Sequence, residues 1–217
     1  VSAEPRAISV APDGRVWVVS KTASMINIID PITRTIVDMV FFDVGTQPHG
    51  IAMSASSAFV VLEATGEVVA LSAFDHSELA RTTVGGRPRH VSVNPQDSGV
   101  YVSQFVTPTL PGEATASPEV DSNGNPLGGV IHVLDAATLT TVDTIVLQHS
   151  DRQVSEHSGP GVPNYVGPAV VSPDGTSAWV PSKQDNILAG ALRGGAGLTF
   201  DQTVRAIASR ITLPARD

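Results

Sequence analysis

Six histidines and thirteen lysines and arginines carry most of the chemistry open to this chain, because it contains no cysteine. That absence removes disulfides, thiolate metal sites, a cysteine nucleophile and covalently attached haem. Arg6 directly follows Pro5, His49 follows Pro48, and Arg89 and His90 follow Pro88. If those prolines mark one point of a repeat, Arg6, His49, Arg89 and His90 gather at one end of the fold. Guanidinium and imidazole groups held together suit an anion, and imidazoles suit a metal ion. The competing use of the same groups is to bond neighbouring loops. Tyr165 and the polar run Lys183-Gln-Asp-Asn186 add a ring and an ammonium to the same ligand-facing set.

A second candidate chemistry is hard-cation binding. Asp121, Asn123 and Asn125 alternate oxygen donors as the start of a calcium loop does. The glycine position and the distal bidentate Glu of a full EF-hand loop are missing, and Asp-Ser-Asn-Gly is equally a plain turn. His149 and His157 sit in a long stretch with Asp151, Arg152 and Glu156, a third place where a metal ion would find donors. His132 falls in mid-strand, where packing is the ordinary role. No Gly-x-Ser-x-Gly elbow, His-Glu-x-x-His pair or Gly-Lys-Ser/Thr phosphate loop occurs, and Arg193-Gly-Gly-Ala-Gly197 lacks the lysine of a phosphate cradle.

The elements that must position these groups are strands. Val (30), Thr (18) and Ile (12) dominate the 217 residues, and 19 Gly and 16 Pro supply turns. Lysine occurs twice, which with this composition rules out a helical bundle. The formal net charge of −8 argues against a general nucleic-acid binder. No apolar run approaches the ~18 residues of a membrane helix.

Four segments repeat: Glu4-Pro-Arg-Ala-Ile-Ser-Val-Ala-Pro-Asp-Gly14, Gln47-Pro-His-Gly-Ile-Ala-Met-Ser54, Arg87-Pro-Arg-His-Val-Ser-Val-Asn-Pro95 and Gly167-Pro-Ala-Val-Val-Ser-Pro-Asp-Gly175. Each is followed by a second strand (Val16–Ser20, Ala58–Leu62, Gly99–Ser103, Ser177–Pro181). In the first three a third strand ends near an Asp or its equivalent, and an outer strand follows. The anchors are about one propeller blade apart once two insertions, 107–128 and roughly 149–165, are set aside. The fold expected is therefore all-β: a β-propeller of four blade units, each a four-stranded antiparallel sheet, over residues 1–217. The blades run about 5–46, 47–86, 87–148 with the insertion, and a partial 166–217. First strands are expected near Ala7, Gly50, His90 and Ala169, and both insertions as irregular loops.

Ile8-Ser-Val-Ala-Pro-Asp-Gly14, Val100-Tyr-Val-Ser103 and Val130-Ile-His-Val-Leu-Asp-Ala-Ala-Thr138 resemble the YVTN-type β-propeller repeat of secreted and surface-layer proteins. The resemblance covers essentially the whole chain. It implies an extracellular, cell-surface or periplasmic binding scaffold without enzymatic activity, whose partner is a protein, a surface polymer or a neighbouring domain. Trp179-Val-Pro-Ser-Lys-Gln-Asp-Asn186 and Leu198–Ile207 are similar to a subgroup of large secreted propellers, some with haem-binding segments elsewhere. That implies an alternative, the propeller portion of a larger redox protein whose cofactor lies outside these residues. No cofactor is expected within the chain apart from calcium at Asp121 to Asn125.

The fourth unit lacks an outer strand, so the reading favours a piece of a longer protein, completed by other blades or by a second chain. Trp17, Val19, Ile26 and Ile28 from the first unit, and Trp179, Ile207 and Ile211 from the last, are expected on faces built to be covered.

Overall fold

The computed structural model describes residues 2–96, 98–107, 128–150, 152–153, 159–185 and 204–213. Among them there are sixteen strands and no helix, hence none long and apolar enough to cross a membrane. Strands β1 (Pro5–Val10), β2 (Val16–Ser20), β3 (Met25–Asp30) and β4 (Thr35–Phe41) form the first antiparallel sheet in chain order. Strands β5 (Pro48–Met53), β6 (Ser57–Leu62), β7 (Glu67–Ser72) and β8 (Glu78–Thr83) repeat it. So do β9 (Pro88–Val93), β10 (Gly99–Gln104), β11 (Gly128–Asp135) and β12 (Thr141–Gln148).

Local chemistry explains the hairpins. In the Ala11-Pro-Asp-Gly14 turn, Gly14 takes φ +85°, a conformation that costs glycine little. Asp30 accepts the backbone N–H groups of Ile32 and Thr33 at 2.7 and 3.1 Å, and Asp135 accepts those of Ala137 and Thr138 at 3.0 and 2.9 Å. Both close the turn into the outer strand as Asx turns. Strands β2, β6, β7 and β10 are buried on both faces and read as near-continuous apolar runs, whereas β4 and β8 are largely exposed.

The sheets stack face to face with their first strands side by side: β1 lies against β5, and β5 against β9. Three apolar clusters fill the seams. Trp17, Ile26 and Ile28 pack on Ile51, Val60 and Leu71; Phe59, Val61 and Val68 pack on Val91, Val102 and Leu134; Tyr101, Ile131 and Val133 pack on Ala169, Ala178 and Val180. This is the radial stacking of propeller blades. No cluster among the described residues joins the fourth sheet back to the first.

The fourth sheet departs from the pattern. Strand β15 (Ser177–Asp185) pairs along one edge with β13 (Val162–Asn164) and β14 (Val170–Val171), and along the other with β16 (Val204–Thr212). The first-strand position is thus split by the five residues 165–169. The stretch 149–165, expected as irregular loop, contributes β13 to the sheet, because β15 runs on past Pro181 and offers its edge to Val162, Pro163 and Asn164. First strands begin at the anchor prolines themselves in sheets one to three, two residues before the expected starts.

The expected placing of Trp17, Val19, Ile26 and Ile28 on an end face awaiting a further cover is also corrected. All four are fully buried, because they lie on the face turned toward the second sheet. Trp179, by contrast, is half exposed.

Candidate functional site

One structural position recurs at the end of the second strand. The backbone N–H of Lys21 donates to the carbonyl of Glu4 at 2.9 Å, that of Glu63 to Gln47 at 3.0 Å, and that of Phe105 to Arg87 at 3.0 Å. Each acceptor is the residue before an anchor proline. Lys21, Glu63 and Phe105 are therefore equivalent, 42 residues apart at each step. The residues after the prolines, Arg6, His49 and Arg89, lie beside them at the same end of the sheets. We call that end of the first strands the mouth.

Glu63 is the centre of the mouth. It is 1% exposed, accepts from Lys21 Nζ of the first sheet at 2.8 Å and from Arg89 Nε of the third at 2.8 Å, and forms an ion pair with Arg87 Nη2 at 3.0 Å. A carboxylate is costly to bury without charged partners. Burial works to raise its pKa, but the hydrogen bonds and charges of Lys21 and Arg89 outweigh it, and the net shift is downward. Three cations meet one anion here, so positive charge is left over. Arg87 carries much of it outward, its side chain being largely exposed.

From Arg89 a column runs into the fourth sheet. Its guanidinium lies over the Phe105 ring, 3.6 Å from the centroid. Phe105 stacks on Tyr165 with centroids 4.5 Å apart and planes 6° from parallel. The Lys183 ammonium stands 4.1 Å from the Tyr165 centroid and 2.8 Å from Asp185. Asp185 accepts from the Asn164 amide at 2.8 Å, and Asn164 Oδ1 accepts the backbone N–H groups of Thr107 and Tyr165 at 3.0 and 2.9 Å. Tyr165, at φ +50°, holds a backbone conformation that side-chain-bearing residues rarely adopt. The same conformation recurs in turns away from the mouth, as at Arg34 and Leu139.

His49 and His90 meet across the seam between sheets two and three, ring centroids 5.8 Å apart at 80°. His49 Nδ1 lies 3.1 Å from the Arg89 carbonyl. A carbonyl only accepts, so Nδ1 carries the proton and Nε2 is the free acceptor. Burial, and then the charge of Arg89, push the His49 pKa down to about 4, and the same causes lower that of His90. Both rings are neutral near pH 7. A Cβ on Gly50 would stand 2.4 Å from that same Arg89 carbonyl, so glycine is what lets β5 come this close to β9.

The structure thus brings His49, Arg89, His90, Tyr165 and Lys183 together. Arg6 stands apart, exposed and paired with Glu4. Asp121, Asn123, Asn125 and His157 lie outside the described residues. Among the described residues no group of three or more His, Cys, Asp or Glu is placed to hold a metal ion. His132 is partly buried in β11, with a pKa lowered by burial. Lys21, Glu63, Arg87 and Phe105 were not singled out from sequence. For Lys21, Glu63 and Phe105 the signal is positional: three dissimilar residues at one point of the repeat share no side-chain type to align.

At the opposite end, a cavity of about 290 Å³ opens between the third and fourth sheets, lined in part by Asn94, Ser98, Tyr101, Asp143 and Asp174. Its polar groups are largely spent locally. Asp174 bonds Ser172 and Thr176, and Asn94 bonds Ser98 and Gly99.

No protein-family model and no curated protein matches this chain. Solved structures do: 960 chains match, which marks a widely used fold rather than one chemistry. One is the Kuenenia stuttgartiensis hydrazine synthase, at 14% identity and TM-score 0.55, over 97% of this chain. The present chain spans 63% of that one. At this identity the likeness concerns the fold alone.

Proposed function

We propose that the protein is a non-enzymatic, extracytoplasmic β-propeller scaffold of the YVTN-repeat type, and that its channel mouth grips a carboxylate-bearing partner, a surface polymer or the acidic side chains of a protein. The observation that carries this reading is the convergence of Lys21, Arg87 and Arg89 on the single carboxylate of Glu63. Their unneutralised charge opens to solvent at Arg87. Charge-assisted, two-pronged contacts favour guanidinium for carboxylate recognition. The mouth is held by all four sheets, so little ordering entropy is lost when a ligand arrives. No nucleophile–base pair accompanies it among the described residues, and its two histidines are neutral and tied to backbone or to each other.

Binding of polygalacturonate against neutral dextran, at low and high salt, tests the reading. Arg87→Ala is expected to weaken polygalacturonate binding roughly tenfold, the worth of one charge-assisted hydrogen bond of ~1.5 kcal/mol. Equal affinity for the neutral polymer, or an unchanged Arg87→Ala, overturns it.

A second reading is favoured by the likeness to a structure titled hydrazine synthase: the propeller portion of a larger redox protein, its cofactor outside these residues. A haem absorption band in the natively purified full-length protein would support that reading, and its absence would favour the scaffold alone.

A further inference from the structure

One row of side chains in sheet one breaks the apolar pattern of its seam. Trp17 pairs with Ile28, and Ile28 pairs with Asp38. Residues directly opposite one another across strands share a face. Trp17 and Ile28 pack in the seam toward sheet two, so Asp38 lies on that face as well. His76, in the turn between β7 and β8 of sheet two, reaches across the seam. Its backbone N–H closes the turn on the Ser72 carbonyl at 3.1 Å, and its Nδ1 stands 2.5 Å from Asp38 Oδ2. Its ring meets that of Trp17 edge to face, with centroids 5.1 Å apart and planes at 85°.

The next seam fills the same place with hydrocarbon. Trp17 and Phe59 are equivalent, each two residues beyond the acceptor of a hairpin bond, Arg15 and Ser57. Phe59 pairs with Ala70, and Ala70 with Ala80, as Trp17 does with Ile28 and Ile28 with Asp38. The turn residue equivalent to His76 is Leu139, whose N–H closes its turn on the Asp135 carbonyl at 2.8 Å. Phe59, Ala80 and Leu139 pack as part of one apolar cluster. In the first seam Trp17, Asp38 and His76 stand at those three points, and all three are groups that hydrogen-bond.

Two of their atoms are buried without a partner, Trp17 Nε1 and His76 Nε2. Trp17 is 0% exposed, and the His76 side chain 9%. An indole N–H only donates. A carboxylate only accepts, so His76 Nδ1 carries the hydrogen that Asp38 takes, and Nε2 of the neutral ring is an acceptor. One buried donor beside one buried acceptor complements a single neutral O–H group, which accepts from the first and donates to the second. A metal ion does not suit the pair, because the indole N–H has no lone pair to offer. An oxygen at ~2.7–3.2 Å from each nitrogen spans up to about 6 Å, the scale of the separation between these rings. We infer that a water molecule is built into this seam, bridging Trp17 Nε1 and His76 Nε2. It completes a chain from Asp38 through His76 to Trp17 that ties the outer strand of sheet one to the turn of sheet two.

Nuclear magnetic resonance of the protein labelled with nitrogen-15 tests the inference. The Trp17 indole proton is expected to show a cross-relaxation peak to water with the sign of a long-lived contact. The indole of the half-exposed Trp179 should report transient hydration only, which makes it the internal comparison. The neutral His76 ring is expected to carry its proton on Nδ1, with Nε2 resonating as a hydrogen-bonded acceptor. The double variant Asp38→Ala/His76→Leu installs the residues that the next seam holds at the same points, which favours its folding. In it the Trp17 water peak is expected to fall to background. Absence of that peak in the wild type overturns the inference, since the indole N–H would then rest on the imidazole face instead. A peak unchanged in the double variant overturns it too, and so does a neutral His76 ring protonated at Nε2. Should the double variant not fold, the wild-type peak and the His76 tautomer decide between the same outcomes.

Discussion

The Glu63 carboxylate and the Arg89 guanidinium meet at 2.8 Å across the seam between the second and third sheets, with the carboxylate buried. With Lys21 on the far side, the pair ties three sheets together at one point. A buried ion pair of this kind contributes less to stability than its Coulomb energy suggests, because both ions have lost hydration. Its loss on one side is a different matter, since the remaining charges stay where they are.

Glu63→Gln keeps the shape and removes the charge, leaving Lys21, Arg87 and Arg89 facing one another. A loss of ~2–4 kcal/mol in unfolding free energy is expected, near the range for breaking a buried pair. Urea denaturation of the variant and the wild type reads it out. A loss below ~0.5 kcal/mol, the scale of a surface pair, would show that the charges relax into solvent.

Acid should weaken the fold through His49 and His90. His49 in the folded chain has its pKa pushed down to about 4, and that of His90 is lowered too, by burial first and by Arg89 second. The unfolded chain takes up these protons near the ordinary imidazole value of ~6.5, so between that pH and about 4 it binds more protons than the folded one. Stability is complete above ~pH 6.5, falls through this window, and His49 contributes no further change below pH 4. His49→Gln keeps a donor for the Arg89 carbonyl and is expected to flatten the slope. Thermal midpoints at half-unit pH steps measure it, and an unchanged slope would sink the assignment.

How much of this could be read from sequence follows the physics of each signal. Pro-Asp-Gly turns and Asx turns at Asp30 and Asp135 act over a few residues, so the hairpins were legible. Alternation puts Trp17 and Val19 on one face, but it cannot tell which neighbour covers that face; stacking direction is a property of the assembled sheets, and the expectation for these residues failed there. Strand β13 escaped because Val162-Pro-Asn164 is three residues with a proline, too short for a period. At the mouth, His49, Arg89, His90, Tyr165 and Lys183 stood out by type. Glu63 and Phe105 did not, since their role comes from where the second strand ends.

Gly50 should tolerate no side chain. A Cβ there would approach the Arg89 carbonyl oxygen to 2.4 Å and the Val61 side chain to 3.2 Å. The carbonyl belongs to β9, so it cannot move away without opening the seam. Gly50→Ala is expected to cost ~1–3 kcal/mol, the usual range for overpacking a close contact. Because β5 would lift from β9, the His49 bond to Arg89 should lengthen as well. Chemical denaturation gives the first quantity and the imidazole proton shift in NMR the second.

The column from Arg89 to Lys183 makes a prediction about energy rather than geometry. Guanidinium over Phe105 at 3.6 Å is a cation–π contact shielded by the neighbouring Tyr165. If it steadies the Phe105 ring on which Tyr165 of the fourth sheet stacks, Arg89→Met and Phe105→Leu should not be additive. A double-mutant cycle is expected to give ~0.5–2 kcal/mol of coupling, the lower end for exposed cation–π pairs and the upper for desolvated ones. Phe105→Leu should also release Tyr165 from its stack. Its strained backbone would then relax toward ordinary angles, and amide exchange at Tyr165 and Val166 would quicken. Coupling indistinguishable from zero, with exchange unchanged, would mean that the ring and the guanidinium are neighbours only, and that the hydrogen bonds of Asn164 to Thr107 and Asp185 hold the seam.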